Sequence, residues 1–84
     1  MENNSRYPIV RVLWNDASSD VDEWHEEDDL DDGDEIVTTV GFLVKETKKF
    51  IWVACSTYEK YSNGRMKIPL SMIVSREVLV EGKQ

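Results

Sequence analysis

The sequence predicts an all-β fold, a five-stranded small barrel carrying a long acidic loop. Three observations predict it. Apolar residues alternate with period two in several short segments, as they do in half-buried strands. Turn-forming residues, among them Asp32-Gly33, Asn63-Gly64 and Pro69, fall between those segments. The stretch from Asp16 to Glu35 holds 12 acidic residues in 20 positions and no Lys or Arg, a composition that repels itself and stays solvated.

From Tyr7 to Trp14, Val10, Val12 and Trp14 take one side of the chain and Arg11 the other, which marks the first strand. Asn15, Asp16, Ser18 and Ser19 form a turn-rich exit, and Ser19 with Asp22 fits a capping box, leaving room for a short helix around Asp20–Glu27. Its apolar contacts would be Val21 and Trp24. Glu26 to Asp29 then put negative charge where the helix dipole is already negative, and stop it there. The whole of 15–35 is thus a loop or short helix between strands one and two.

Beyond Asp32-Gly33-Asp34, the residues Ile36, Thr38, Val40, Phe42 and Val44 mark one face of a long strand, and Gly41 signals a bulge or sharp bend in it. Lys45–Lys48 reads as a hairpin tip. In the next strand, Lys49–Thr57, the residues Ile51, Val53 and Cys55 face one way and Phe50, Trp52 and Ala54 the other. Asn63-Gly64 predicts a tight hairpin turn, because both residues accept positive φ, and a short strand Arg65–Ile68 follows. Pro69 removes a ladder donor and introduces one tight helical turn before a last strand, Ile73–Val80. Closing these strands toward a barrel protects their edges.

At 84 residues the chain has room for a single domain, 1–84, and not for a multidomain enzyme. Its net charge of −7 conceals a division: residues 16–35 contribute −12, residues 36–84 contribute +4 and residues 1–15 contribute +1. One cysteine, Cys55, excludes an internal disulfide, which points to a reducing cytoplasm. A polar N-terminus and the lack of any apolar run of about 18–20 residues argue against a cleaved signal and against membrane insertion.

The segment Lys67-Ile68-Pro69-Leu70-Ser71-Met72-Ile73 resembles the Ile-Pro-x-x-Tyr-Val stretch that closes SH3-like barrels. That resemblance implies a first strand, an acidic loop in the place of the RT loop, a three-stranded meander, a single turn and a last strand. Met72 stands where that family has a ligand-contacting tyrosine. Val12-Leu13-Trp14-Asn15-Asp16-Ala17-Ser18-Ser19 and Val40-Gly41-Phe42-Leu43-Val44-Lys45-Glu46 are similar to small uncharacterised proteins of tailed bacteriophages. This second resemblance implies a phage or prophage origin, and with it the host cell cytoplasm as the compartment, and assigns no reaction.

Catalytic and metal chemistry find little support. The run Asp28-Asp29-Leu30-Asp31-Asp32-Gly33 fails as an EF-hand loop: with Gly33 sixth, Leu30 takes the third ligand's place and Thr39 the place of the bidentate Glu. His25 is the only histidine, and one strong nitrogen ligand seldom makes a transition-metal site. No metal and no cofactor is expected. Cys55 lies mid-strand in an apolar stretch and reads as a small buried hydrophobe rather than a nucleophile. No Gly-rich phosphate loop is present, and an exposed carboxylate loop offers no rigid cleft, so the chain reads as a binding protein and not an enzyme.

Two binding surfaces compete. The leading expectation is an acidic protein-interaction module in which Asp22, Glu23, Trp24, Glu26, Glu27, Asp28, Asp29, Asp31 and Asp32 meet a basic surface on a host protein. Carboxylates steer the encounter and Trp24 supplies an aromatic anchor. With the phage resemblance, the partner becomes a host nucleic-acid-handling or defence protein, the carboxylates mimicking phosphates. The alternative is a face for single-stranded nucleic acid built from Lys48, Lys49, Phe50, Trp52 and Lys67, with Lys45, Lys60, Arg65, Tyr58 and Tyr61 nearby. Direct nucleic-acid binding is disfavoured by the acidic block in the same small chain. A third class is an assembly protein that forms a homo-oligomer through an exposed strand edge.

Overall fold

The computed structural model describes residues 2–16 and 35–83. Alternation of Val10 and Val12 against Arg11 makes β1 (Ile9–Asn15), which pairs antiparallel with β2 (Ile36–Glu46) on one side and with β7 (Ile73–Val80) on the other. The other side of β2 pairs with β3 (Phe50–Ala54), and β3 in turn with β6 (Met66–Pro69). The result is a five-stranded antiparallel sheet of order β6-β3-β2-β1-β7, whose edges β6 and β7 do not pair with each other. Two short strands, β4 (Ser56–Tyr58) and β5 (Tyr61–Asn63), form a separate ribbon. The expected single helical turn after Pro69 is a 3₁₀ turn at Leu70–Met72, its first N–H donating to Lys49 O at 2.9 Å.

The core is small and lies on one face of the sheet. Val12, Ile51 and Ile68 are wholly buried, Val10 and Val53 nearly so, with Trp14, Leu43, Leu70 and Ile73 packed around them. Ile68 comes from the edge strand β6 and Val10 and Val12 from β1, three strands away, so the sheet curls over its inner face. Trp14 finds a partner for its indole N–H in Thr39 Oγ1 at 2.9 Å, as a half-buried Trp requires. Arg76 reaches back over that face from β7 to Glu46 of β2, Nη2 to Oε2 2.7 Å, spanning the strand that separates them.

The strand between Lys49 and Thr57 read from the alternation is β3 and β4 in sequence. Ile51 faces Ile68 and Thr57 faces Ser62, so β3-β4 and β5-β6 are two arms of one hairpin that keeps a single register through a break at Ala54-Cys55 and Gly64-Arg65. Its turn is Glu59-Lys60, not Asn63-Gly64, and Glu59 takes φ 53°. The strand preference of Thr57, Tyr58 and Tyr61 extends the ladder past Asn63, and the positive φ is imposed on Glu59 instead. Gly64 uses its own freedom, at φ 62°, inside the break, where the Cys55 N–H donates to both Asn63 O and Gly64 O at 3.1 and 3.2 Å.

β2 differs from the sequence reading in two ways. Its inner residues are Val37, Thr39, Gly41 and Leu43, whereas Ile36 and Val40 are exposed. The bulge falls at Val44 rather than Gly41, since Leu43 faces Val53 while Lys45 faces Trp52. Gly41 answers a different demand. A Cβ there would lie 2.6 Å from Ala54 O and 2.7 Å from Val53 Cγ1, so it permits a close approach of β2 to the end of β3. Gly41→Ala is expected to destabilise the fold by about 1–3 kcal/mol, the usual cost of overpacking. Urea unfolding monitored by fluorescence checks this, and an unchanged midpoint would show that the strands can part without penalty.

Candidate basic aromatic groove

The bulge at Val44 determines which side chains meet on the outer face. Side chains alternate across a strand, so without it Lys45 would follow Leu43 onto the core face. With it, Lys45 pairs with Trp52 on the outer face, and Glu46 turns to the inner face opposite Ile51, where it meets Arg76. Across the hairpin, Lys67 pairs with Trp52 and Phe50 stands one outward position along. The Lys67 ammonium lies 3.9 Å from the Phe50 ring centroid and 5.8 Å from that of Trp52, a cation held over two aromatic faces.

A groove of about 300 Å³ opens beside Trp52. Lys45 and Val44 form its β2 side, Arg65, Ser62 and Lys60 its hairpin side, and Tyr7 its third wall. Tyr7 is set by the N-terminal segment, which is tied at Ser5. Ser5 Oγ accepts from the Tyr7 N–H at 3.1 Å and from the Thr57 hydroxyl at 2.9 Å, while Ser5 O accepts from Lys83 N–H at 2.7 Å. Asn3 adds bonds from its side-chain amide to Tyr7 O at 2.8 Å and Glu81 O at 3.2 Å. Arg6 lies over the Tyr7 ring at 5.0 Å and donates to its hydroxyl at 2.9 Å, adding a guanidinium beside the groove.

The cations are paired unevenly across the sheet. Arg11 and Arg76 are neutralised by ion pairs with Glu77 and Glu46. Among the described residues, Lys45, Lys60, Arg65 and Lys67 pair with no carboxylate, so the groove keeps its positive field. Cations alternating with accessible aromatic faces can hold a planar anion by charge and by stacking together.

Of the alternative face named from the sequence, Phe50, Trp52 and Lys67 come together. Lys48 and Lys49 lie in the exposed Thr47–Lys49 loop, where Thr47 Oγ1 accepts from Lys49 and Phe50 N–H, and they do not line the groove. Tyr7 read only as the start of a strand. Its place in the wall depends on contacts between the two ends of the chain, which no local pattern announces. Asp22, Glu23, Trp24, Glu26, Glu27, Asp28, Asp29, Asp31 and Asp32, with His25 and the short helix, lie outside the described residues. Among the described residues no helix is long and apolar enough to cross a membrane.

No protein-family model matches the chain, and no curated protein or solved structure is significantly similar to it.

Cys55 corrects the expectation of a buried thiol. It is exposed, because the break in the hairpin interrupts the alternation: Ala54 is buried beside it, and Gly64 faces it without a side chain. The native protein is therefore expected to release one equivalent of thiolate from a disulfide reagent such as DTNB without denaturant. Reaction only after unfolding would return Cys55 to the core.

Proposed function

We propose that this chain is a non-catalytic binding module whose basic aromatic groove takes single-stranded nucleic acid. The observation that carries this reading is the juxtaposition of Trp52 with Lys45, Arg65 and Lys60 around one groove, next to the Lys67 ammonium over Phe50. Bases stack on aromatic rings without regard to sequence, and the cations follow the backbone. The residues outside 16–35 carry a formal charge of +5, so the scaffold presenting the groove is itself basic although the chain is acidic. The sheet order and the 3₁₀ turn before the last strand support an SH3-like small barrel as the platform.

Anisotropy of a labelled oligothymidine tests the reading. Trp52→Ala should weaken binding by about 1–3 kcal/mol, the range for losing one base stack. Replacing Lys45 and Arg65 together by Ala should weaken it further and flatten the plot of log affinity against log salt by about 0.7 for each phosphate no longer neutralised. Equal affinity of the parent and Trp52→Ala at every salt concentration would reject the groove.

A second reading rests on composition. Twelve carboxylates in 20 positions around Trp24 would be drawn to a basic protein surface, which for a phage-encoded chain would belong to a host nucleic-acid-handling or defence protein. Asp28, Asp29, Asp31 and Asp32 changed together to Asn should then release, in a pull-down from bacterial lysate, a partner that the parent holds at low salt. Recovery of the same partner by both would remove phosphate mimicry from consideration.

A further inference from the structure

Tyr7 brings a second aromatic residue to the groove of Trp52, and two close approaches of the backbone set its place there. The first follows β2. Leu43 N–H donates to Pro8 O at 3.0 Å, one step past the Ile9–Phe42 pair, so the chain before β1 still runs beside β2 as far as the bulge. That carries Tyr7 to Val44 and Lys45, with which it lines the groove. The second approach is by Glu81–Lys83. A Cβ on Gly82 would overlap Arg6 O and lie 2.7 Å from Arg6 C and 3.1 Å from Tyr7 C, all backbone atoms that cannot give way as a flexible side chain would. Gly82 therefore lets this segment lie directly on Arg6 and Tyr7, while Glu81 O accepts from the Asn3 amide at 3.2 Å and Lys83 N–H donates to Ser5 O at 2.7 Å.

We infer that Tyr7 is the second stacking residue of the site, that it and Trp52 meet one and the same base, and that Gly82 is the residue that positions it. This rests on the groove reading above and adds to it the unit of ligand held. At about 300 Å³ the groove is at the low end for small-ligand pockets, roughly 300–1,000 Å³, which leaves room for one base with its sugar and not for a stack of bases. Two rings that line so small a space act on the same base. Arg6 backs the Tyr7 ring from outside the groove, its guanidinium 5.0 Å from the centroid and donating to the hydroxyl at 2.9 Å, and lines a separate depression with Asn4, Ser5 and Glu59. Lys45, Lys60 and Arg65 remain for the phosphates that flank the base.

The test is anisotropy of a labelled oligothymidine with the parent, Tyr7→Ala, Tyr7→Phe, Trp52→Ala, Gly82→Ala and the pairwise combinations of Tyr7→Ala with the last two, circular dichroism confirming that each is folded. Tyr7→Ala should lose about tenfold in affinity, the effect of one missing stack, and Tyr7→Phe, which restores the ring, should recover most of that loss. Tyr7→Ala with Trp52→Ala should lose clearly less than the product of the two single losses, because both rings act on one base. Gly82→Ala should weaken binding, and added to Tyr7→Ala should weaken it no further. The parent also gives a readout that needs no variant: oligothymidine carrying 5-iododeoxyuridine should, on irradiation, crosslink to Tyr7 as well as to Trp52. Tyr7→Ala binding like the parent while Trp52→Ala binds weakly, or crosslinks at Trp52 with none at Tyr7, would overturn the inference and leave the groove reading standing. Single losses that simply multiply would overturn the shared base, and Gly82→Ala binding like the parent would overturn the positioning role. Failure of the oligothymidine to bind the folded parent would overturn both readings.

Discussion

The outer face of this sheet depends on one extra residue in β2. At Val44 the bulge shifts the ladder by one position, and every side chain after it changes faces. Lys45 leaves the core for the side of Trp52, and Glu46 comes inward to bond with Arg76. A single irregularity thus keeps an ammonium out of the apolar interior, adds it to the groove, and supplies a carboxylate to the one arginine on the inner side of β7. An unpaired charge facing Val10 and Ile51 would carry a desolvation penalty well beyond the worth of an exposed ion pair.

The groove is a product of two further constraints on the backbone. Continuous register between β3-β4 and β5-β6 carries Arg65 and Lys60 alongside Trp52, because both arms share one ladder despite the break at Cys55 and Gly64. The third wall comes from the chain termini. Ser5 is bonded to Thr57 and Lys83 at once, which fixes the N-terminal segment and places Tyr7 against the hairpin. The site is therefore built from segments distant in sequence that converge beside one hairpin, and the outer face of β3, paired on both sides, provides the floor.

Much of the architecture was legible because local rules agree with one another. Val10 and Val12 against Arg11, Ile51 and Val53 against Phe50 and Trp52, and Pro69 before a single turn all fall where periodicity and turn chemistry place them. What was illegible came from tertiary demands. Asn63-Gly64 has the strongest hairpin signal in the chain, yet the β-prone Tyr58 and Tyr61 extend the ladder beyond it and leave Glu59 with the positive φ. In β2 both alternating sets are β-prone, so composition alone could not say that Thr39 and Leu43, rather than Val40 and Phe42, turn inward; Trp14 and the core decide it. The lysines and aromatic residues of the groove were visible as residue types. Their grouping was not, since it follows from the bulge and from the ends of the chain.

Charge segregation then has a physical consequence for any ligand of the groove. A chain of net charge −7 repels a polyanion at long range, while the scaffold outside residues 16–35 is basic and attracts it nearby. The two influences have different reach. At an ionic strength of about 0.01 M the screening length is about 30 Å, comparable with the dimensions of a small domain, and the approaching anion senses the whole chain. At about 0.15 M it falls to about 8 Å, and an anion at the groove senses chiefly the charges nearest it, which among the described residues are Lys45, Lys60 and Arg65. Salt therefore weakens each phosphate contact and at the same time removes the long-range repulsion that opposes encounter. The net charge of the chain and the cations of the groove are thus separate determinants, and ionic strength sets the balance between them.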